Sequence, residues 1–135
     1  MSAGSLLPDP APYEAPFWEW CAEGELRVQQ CRNCGVLRFP PRPGCASCES
    51  VDATWVRLSG KGRIWSFVIA HPPLLPAYEA LAPYPVVVVE LDEDRTLRMV
   101  GNVVDGTEAA IDLPVEVTFE EVGEMTLPRW RARTT

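Results

Sequence analysis

Apolar and polar residues fall into short strand-like runs after the middle of the chain, alternating most clearly near its end, and follow a helical period in one short stretch near its start. Val115, Val117 and Phe119 alternate with Glu116, Thr118 and Glu120, which predicts a strand with one buried face. Trp55–Ser59 and Arg63–Ala70 are rich in aromatic and β-branched residues and predict two further strands, joined through Gly60-Lys61-Gly62. Val86–Leu91 is a continuous apolar run, too short for a convincing helix, and predicts a strand buried on both faces at the centre of a sheet. Leu97–Val104, after the acidic turn Asp92-Glu93-Asp94, makes a fifth. Five short strands with glycine-containing turns predict a small barrel of the OB type, with a sandwich as the other architecture. Near the start, Phe17, Trp20 and Cys21 fall at i, i+3, i+4 behind Pro16, and Gly24 follows, so 14–23 is a short helix.

The fold class is therefore mainly β. Residues 1–13, with Pro8, Pro10 and Pro12, form a flexible arm, 14–50 the N-terminal helix and a cysteine-bearing ribbon, and 51–135 the barrel with a C-terminal tail. At 135 residues the chain is one domain's worth, and its 14 prolines favour extended and turning backbone over helix. A formal charge of -7 is the wrong sign for a surface built to hold phosphate backbones. The start has no basic region ahead of an apolar run, and no stretch approaches a membrane span, so the cytoplasm is the expected compartment.

The five cysteines sharpen this picture. Cys31-x2-Cys34 and Cys45-x2-Cys48 are two thiol pairs on two knuckles, a spacing that can converge on one metal ion. Gly35 follows the first pair, where positive φ lets main-chain amides turn toward sulfur; Glu49 holds the matching place in the second. Four sulfurs close the shell and leave no place for substrate or an activated water, so a structural Zn²⁺ is expected ahead of a rubredoxin-like iron or a redox-active pair. Four thiolates and a divalent ion also add a further -2 to an already acidic chain.

Other candidates are weaker. Cys21 lies on the apolar side of the helix and reads as a buried small hydrophobe. His71, the one histidine, has no nucleophile or carboxylate motif beside it, and no G-x-S-x-G, P-loop or G-x-G-x-x-G occurs, so no catalytic residue is assigned. The loop from His71 to Pro85 carries Leu74, Leu75, Tyr78, Leu81 and Tyr84, more apolar surface than a linker uses, and is expected to be a lid or docking surface. Phe17, Trp18 and Trp20, with Leu74 and Leu75, are the candidate partner contacts, and His71, Tyr78 and Tyr84 the candidate lining of a substrate channel. The tail Arg129-Trp130-Arg131-Ala132-Arg133 reads as a solvated terminus; its mixture of cations and an aromatic is what keeps a single-stranded nucleic-acid binder as the alternative function.

Taken in order, Phe17-Trp18-Glu19, Gly24-Glu25-Leu26-Arg27-Val28-Gln29-Gln30-Cys31, Cys34-Gly35, Phe39-Pro40-Pro41-Arg42, the second cysteine pair, Leu58-Ser59-Gly60-Lys61-Gly62, Val89-Glu90-Leu91-Asp92 and Leu113-Pro114-Val115-Glu116-Val117 closely resemble the thiolase-associated zinc-ribbon/OB-fold family over about residues 14–130. The second knuckle departs from the common Cys-Pro-x-Cys in having Ala46. The resemblance implies a rubredoxin-like zinc ribbon on a five-stranded OB barrel, without chemistry of its own. It further implies an accessory subunit that supports a thiolase-fold enzyme acting on acyl-CoA esters, in a heterotetramer around a thiolase-like dimer. In some members the module is appended to a MaoC-type enoyl-CoA hydratase subunit and serves a retro-aldolase of steroid side-chain degradation.

Overall fold

The computed structural model describes residues 6–134; the first five residues of the expected arm lie outside the described part. In chain order the elements are helix α1 (Ala15–Ala22), strands β1 (Leu26–Cys31), β2 (Leu37–Arg38), β3 (Ala53–Leu58) and β4 (Lys61–Ala70), a single turn of helix α2 (Pro76–Glu79), and strands β5 (Tyr84–Leu91), β6 (Asp94–Asn102), β7 (Pro114–Val122) and β8 (Met125–Ala132). Pro16 sits in the first turn of α1, Phe17 and Cys21 bury its inner side, and the chain turns out where the amides of Gly24 and Glu25 donate to the carbonyls of Cys21 and Trp20.

The strands form two sheets. A three-stranded sheet has the order β2-β1-β3, and a five-stranded sheet the order β6-β5-β4-β7-β8. The second curls until its ends meet: Val103, just past β6, bridges Trp130 of β8, and the amide of Val104 donates to the Trp130 carbonyl at 2.8 Å. Gly60 makes the entry to β4 with a φ of +77°, a region that side chains other than hydrogen rarely occupy. At Gly62 a Cβ would collide with the carbonyl oxygen of Glu90 and come within 2.6 Å of a Val89 methyl, so β4 and β5 cross there closer than any side chain permits.

Five strands fill the curled sheet, as the pattern predicts, but one of their identities differs. Trp55–Ser59 does not join it: β3 runs back along β1 from Leu26↔Leu58 to Cys31↔Ala53, because the chain leaving the second knuckle is already antiparallel to the strand that entered the first. The fifth strand is instead the expected tail. β7 and β8 pair from Val115↔Ala132 to Val122↔Met125 around Gly123-Glu124, and Trp130 is 1% exposed. A large aromatic at that register gains more from the core than a free terminus offers.

The centre of the sheet is β4, not β5. Along β5 only Val87, Val89 and Leu91 are buried, while Val86 and Val88 face outward, so the apolar run is not a strand buried on both faces. One core joins the two sheets: Leu26, Val28 and Leu58 pack with Phe17 and Cys21 of α1 and with Ile64, Val87, Met99, Val115 and Trp130.

Candidate functional site

The two knuckles sit at one end of the ribbon sheet. Cys31 closes β1, and the amides of Gly35 and Glu49 each donate to the carbonyl of the first cysteine of their own knuckle at 2.9 Å. Both residues adopt positive φ, +79° for Gly35 and +67° for Glu49, so the same turn is built twice, once with glycine and once against the preference of a side chain. The four Sγ atoms lie within 4.8 Å of one another, with Cys31 to Cys48 at 3.5 Å and Cys34 to Cys45 at 3.6 Å. A disulfide needs about 2.05 Å. Four sulfurs around one zinc at about 2.3 Å stand about 3.8 Å apart. The quartet therefore fits a tetrahedral ion.

The electrostatics favour the first sulfur of each knuckle and not the second sulfur of the first: the Val36 amide lowers the Cys34 thiol, but desolvation and its hydrogen bonds with Cys45, Cys31 and Cys48 outweigh it and push that thiol up to about 11. The main-chain amide of Cys34, above all, pulls the Cys31 thiol down to about 6, and the amide of Cys48 likewise lowers Cys45. Thiolates are the ligating form, so each knuckle prepares its first sulfur for metal. Cys21 behaves in the opposite way: fully buried beneath α1, its thiol is pushed up to about 12 by desolvation.

Of the expected partner contacts, Phe17 is only 3% exposed and packs edge-on to Trp18 and against Phe39. It belongs to the chain's own core, because an i, i+4 pair with Cys21 is the side of α1 that must be buried. Trp18 is half-buried and lines an open groove of about 430 Å³ with Leu6, Leu7, Val86, Val100 and Arg129. A smaller recess of about 160 Å³ beside it shares Trp18, Val100 and Pro128 and reaches Phe39 and Pro40 of the ribbon. Trp20 is half-buried, with the Arg27 guanidinium stacked 3.8 Å from its ring centre.

In the long loop, Leu75 is 60% exposed and Leu74 half-buried. Tyr78 and Tyr84 come together at 6.3 Å, and the Tyr78 hydroxyl accepts the Leu6 amide at 3.0 Å, which pins the described part of the arm. His71 is exposed at the end of β4, outside both cavities.

The sequence reading missed an apolar stripe. On the outer side of the curled sheet Val68 faces Val86, and Val88 faces Val100; Val68 is 62% and Val100 70% exposed. The signal was present in Val86-Val87-Val88-Val89, since an unbroken apolar run in a sheet buried on one side must leave its alternate residues on the other. The tail offers nucleic acid little: Trp130 is inside, and Arg129, Arg131 and Arg133 pair with Glu120, Glu116 and Asp92 at 3.1–3.2 Å.

A four-cysteine ribbon sharing its core with a curled five-stranded sheet defines a zinc-ribbon/OB-fold protein. Comparison with known proteins agrees in both halves: residues 18–52 match the ChsH2 rubredoxin-like zinc ribbon domain, and residues 55–120 the ChsH2 C-terminal OB-fold domain. The chain belongs to the ChsH2-type DUF35 family. It is similar to a chain of the Ltp2-ChsH2(DUF35) aldolase, with a TM-score of 0.83 and 36% identity over 93% of this chain and 98% of that one. It is 34% identical to a DUF35 domain-containing scaffold protein of Methanothermobacter thermautotrophicus, over 73% of this chain and 74% of the relative. It is also 34% identical to the 3-oxo-4,17-pregnadiene-20-carboxyl-CoA hydratase alpha subunit of Mycobacterium tuberculosis over 84% of this chain, which spans only 36% of that subunit's length. Among the described residues no helix is long and apolar enough to cross a membrane.

Proposed function

We propose that the chain is a non-catalytic subunit that docks on a thiolase-fold enzyme acting on acyl-CoA esters and supports its reaction. The observation that carries this reading is the pairing of a saturated four-sulfur site with a broad outward apolar stripe, Val68, Val86, Val88 and Val100, running into the Trp18 groove. A closed metal shell supplies structure, not turnover. An apolar face of this extent on an acidic chain suits a protein neighbour. The likeness to a chain of the Ltp2-ChsH2 aldolase, and to proteins named as scaffolds, supports the same reading.

In finer detail, the ion is Zn²⁺, and Trp18, Trp20, Leu74 and Leu75 contribute to docking. His71, Tyr78 and Tyr84 stand toward the substrate channel of the complex, a heterotetramer around a thiolase-like dimer in the cytoplasm. The likeness to a steroid hydratase subunit supports a steroidal acyl group and a MaoC-type hydratase as a further partner.

The test is co-expression with a thiolase-fold protein of the Ltp2 kind. A complex should survive size exclusion at micromolar concentration, and a Val68→Glu/Val100→Glu double variant should lose it while keeping its zinc and its circular dichroism. Failure of the parent chain to associate overturns the docking, and turnover of an acyl-CoA by the isolated chain overturns the non-catalytic role.

A further inference from the structure

Arg38 is 4% exposed, yet among the described residues no carboxylate reaches it. Its Nε donates to Oε1 of Gln29 at 2.9 Å and one terminal nitrogen, Nη2, to the carbonyl of Arg42 at 3.1 Å, while Nη1 is buried with no hydrogen-bond partner. The other buried arginine, Arg129, is treated in the ordinary way and pairs with Glu120 at 3.1 Å. A buried guanidinium without a counter-ion is strongly disfavoured unless some other negative charge compensates it.

The position of Arg38 indicates where that charge is. Gln29 and Cys31 are two residues apart on β1 and so share one side of it, and Arg38 on β2 is the register partner of Gln29. Gln29 Oε1 also accepts the amide of Arg42 at 2.8 Å. Along the chain Gln29 precedes the first ligand by two residues, Arg38 follows the second by four, and Arg42 precedes the third by three. One buried amide oxygen thus ties together the approaches to both knuckles. Four thiolates around a divalent ion carry a net charge of -2, and one of the four, Cys31, lies on the side of β1 that Gln29 shares with its register partner Arg38.

We infer that Arg38, held by Gln29, is the built-in counter-charge of the metal centre and a positioning residue for its second knuckle. The inference rests on the four-sulfur zinc reading. Arg38 hydrogen-bonds Gln29 and the Arg42 carbonyl and not a ligand sulfur, so it acts through its charge and through the approach to the second knuckle; groups that support ligands are worth about 10–100-fold in metal affinity when removed, and Arg38 belongs at the lower end of that range.

The experiment measures zinc affinity of the full chain by chelator competition, together with the thiolate-to-metal charge-transfer band of the Co²⁺ form. Arg38→Met should weaken zinc at least tenfold and shift the band, and Arg38→Lys, which keeps the charge, should recover most of the affinity. Gln29→Glu separates this role from plain packing. If Arg38 serves the metal, the new carboxylate competes for it and zinc affinity falls; if Arg38 merely lacks a partner, the carboxylate supplies one and zinc binds as tightly or more so. Should Arg38→Met fail to fold, the Lys and Glu variants decide alone. Any gain in affinity, or a loss of less than threefold, in Gln29→Glu or in a folded Arg38→Met overturns the inference. A parent chain that binds no zinc overturns instead the reading beneath it.

Discussion

Trp130→Ala is the most informative single change in the barrel. The indole is 1% exposed on β8, its backbone bridges Val103 and accepts the Val104 amide at 2.8 Å, and its ring lies so close to β6 that a Cβ on Gly101 would be 2.8 Å from Cδ1 and Nε1. Truncating a buried tryptophan to alanine costs about 3–5 kcal/mol through lost transfer energy and an unfilled cavity. That is a large part of the roughly 5–15 kcal/mol that holds an ordinary domain folded. With a urea slope of about 2 kcal/mol/M, the unfolding midpoint followed by far-ultraviolet circular dichroism should fall by about 2 M. Zinc must be saturating throughout, so that metal loss does not add to the change. Gly101→Ala provides a second reading of the same contact. Alone it overpacks and destabilises by about 1–3 kcal/mol. Combined with Trp130→Phe it should recover about 1 kcal/mol, because the smaller ring vacates the space the new methyl needs. A midpoint shift below about 0.5 M for Trp130→Ala, or strict additivity in the double variant, would show that the last strand does not close the sheet as described.

Three further outcomes are expected. Glu49→Gly should raise the unfolding free energy by about 1 kcal/mol or less, the relief of positive φ being partly offset by a freer unfolded chain; a loss of stability would mean that the side chain is needed. Cys21, with its folded thiol held up to about 12 against an ordinary value of 9, stabilises the fold fully below pH 9 and loses that contribution as pH rises from 9 toward 12. Relative to Cys21→Ala, the parent should lose up to about 1.4 kcal/mol per pH unit in that window, read by urea titration at pH 8 and pH 10.5, and parallel curves would refute it. Cys31→Ser should release the metal and lower the thermal midpoint of the whole chain in one transition; retention of stoichiometric zinc, or a separate early transition for the ribbon, contradicts the shared core.

The metal centre was legible because its ligands carry their chemistry in fixed local spacing, Cys31 to Cys34 and Cys45 to Cys48, and because Gly35 marks the turn. The helix was legible for a similar reason, since Phe17 and Cys21 need only each other to declare an inner side. What escaped was pairing. Nothing local in Trp55–Ser59 says whether it joins the barrel or lies back along β1, and that choice is made by the two cysteine turns that precede it. The tail escaped because three arginines in five residues read as solvated, although Glu120 and Glu116 stand on the adjoining hairpin strand β7 and Asp92 in the turn after β5 to pair with them. Gly123-Glu124 between apolar residues was an available hairpin signal for that strand.

β1 explains why metal and barrel depend on each other. Its burial runs through both sides: Leu26 and Val28 enter the common core, while Gln29 and Cys31 are buried against the knuckles. It is thus the strand with two buried faces, the place the sequence pattern assigned to Val86–Leu91. Leu-Arg-Val-Gln-Gln-Cys hides this, because one of its two buried faces is made of polar and ligating side chains. A structural metal contributes to folding only through the groups that must be ordered to bind it. Here one of those groups ends a strand whose other side packs against Phe17, Cys21 and the barrel residues. Zinc bound at the far end of the ribbon therefore stabilises the floor beneath α1, and with it the Trp18 groove that continues into the outer valine stripe.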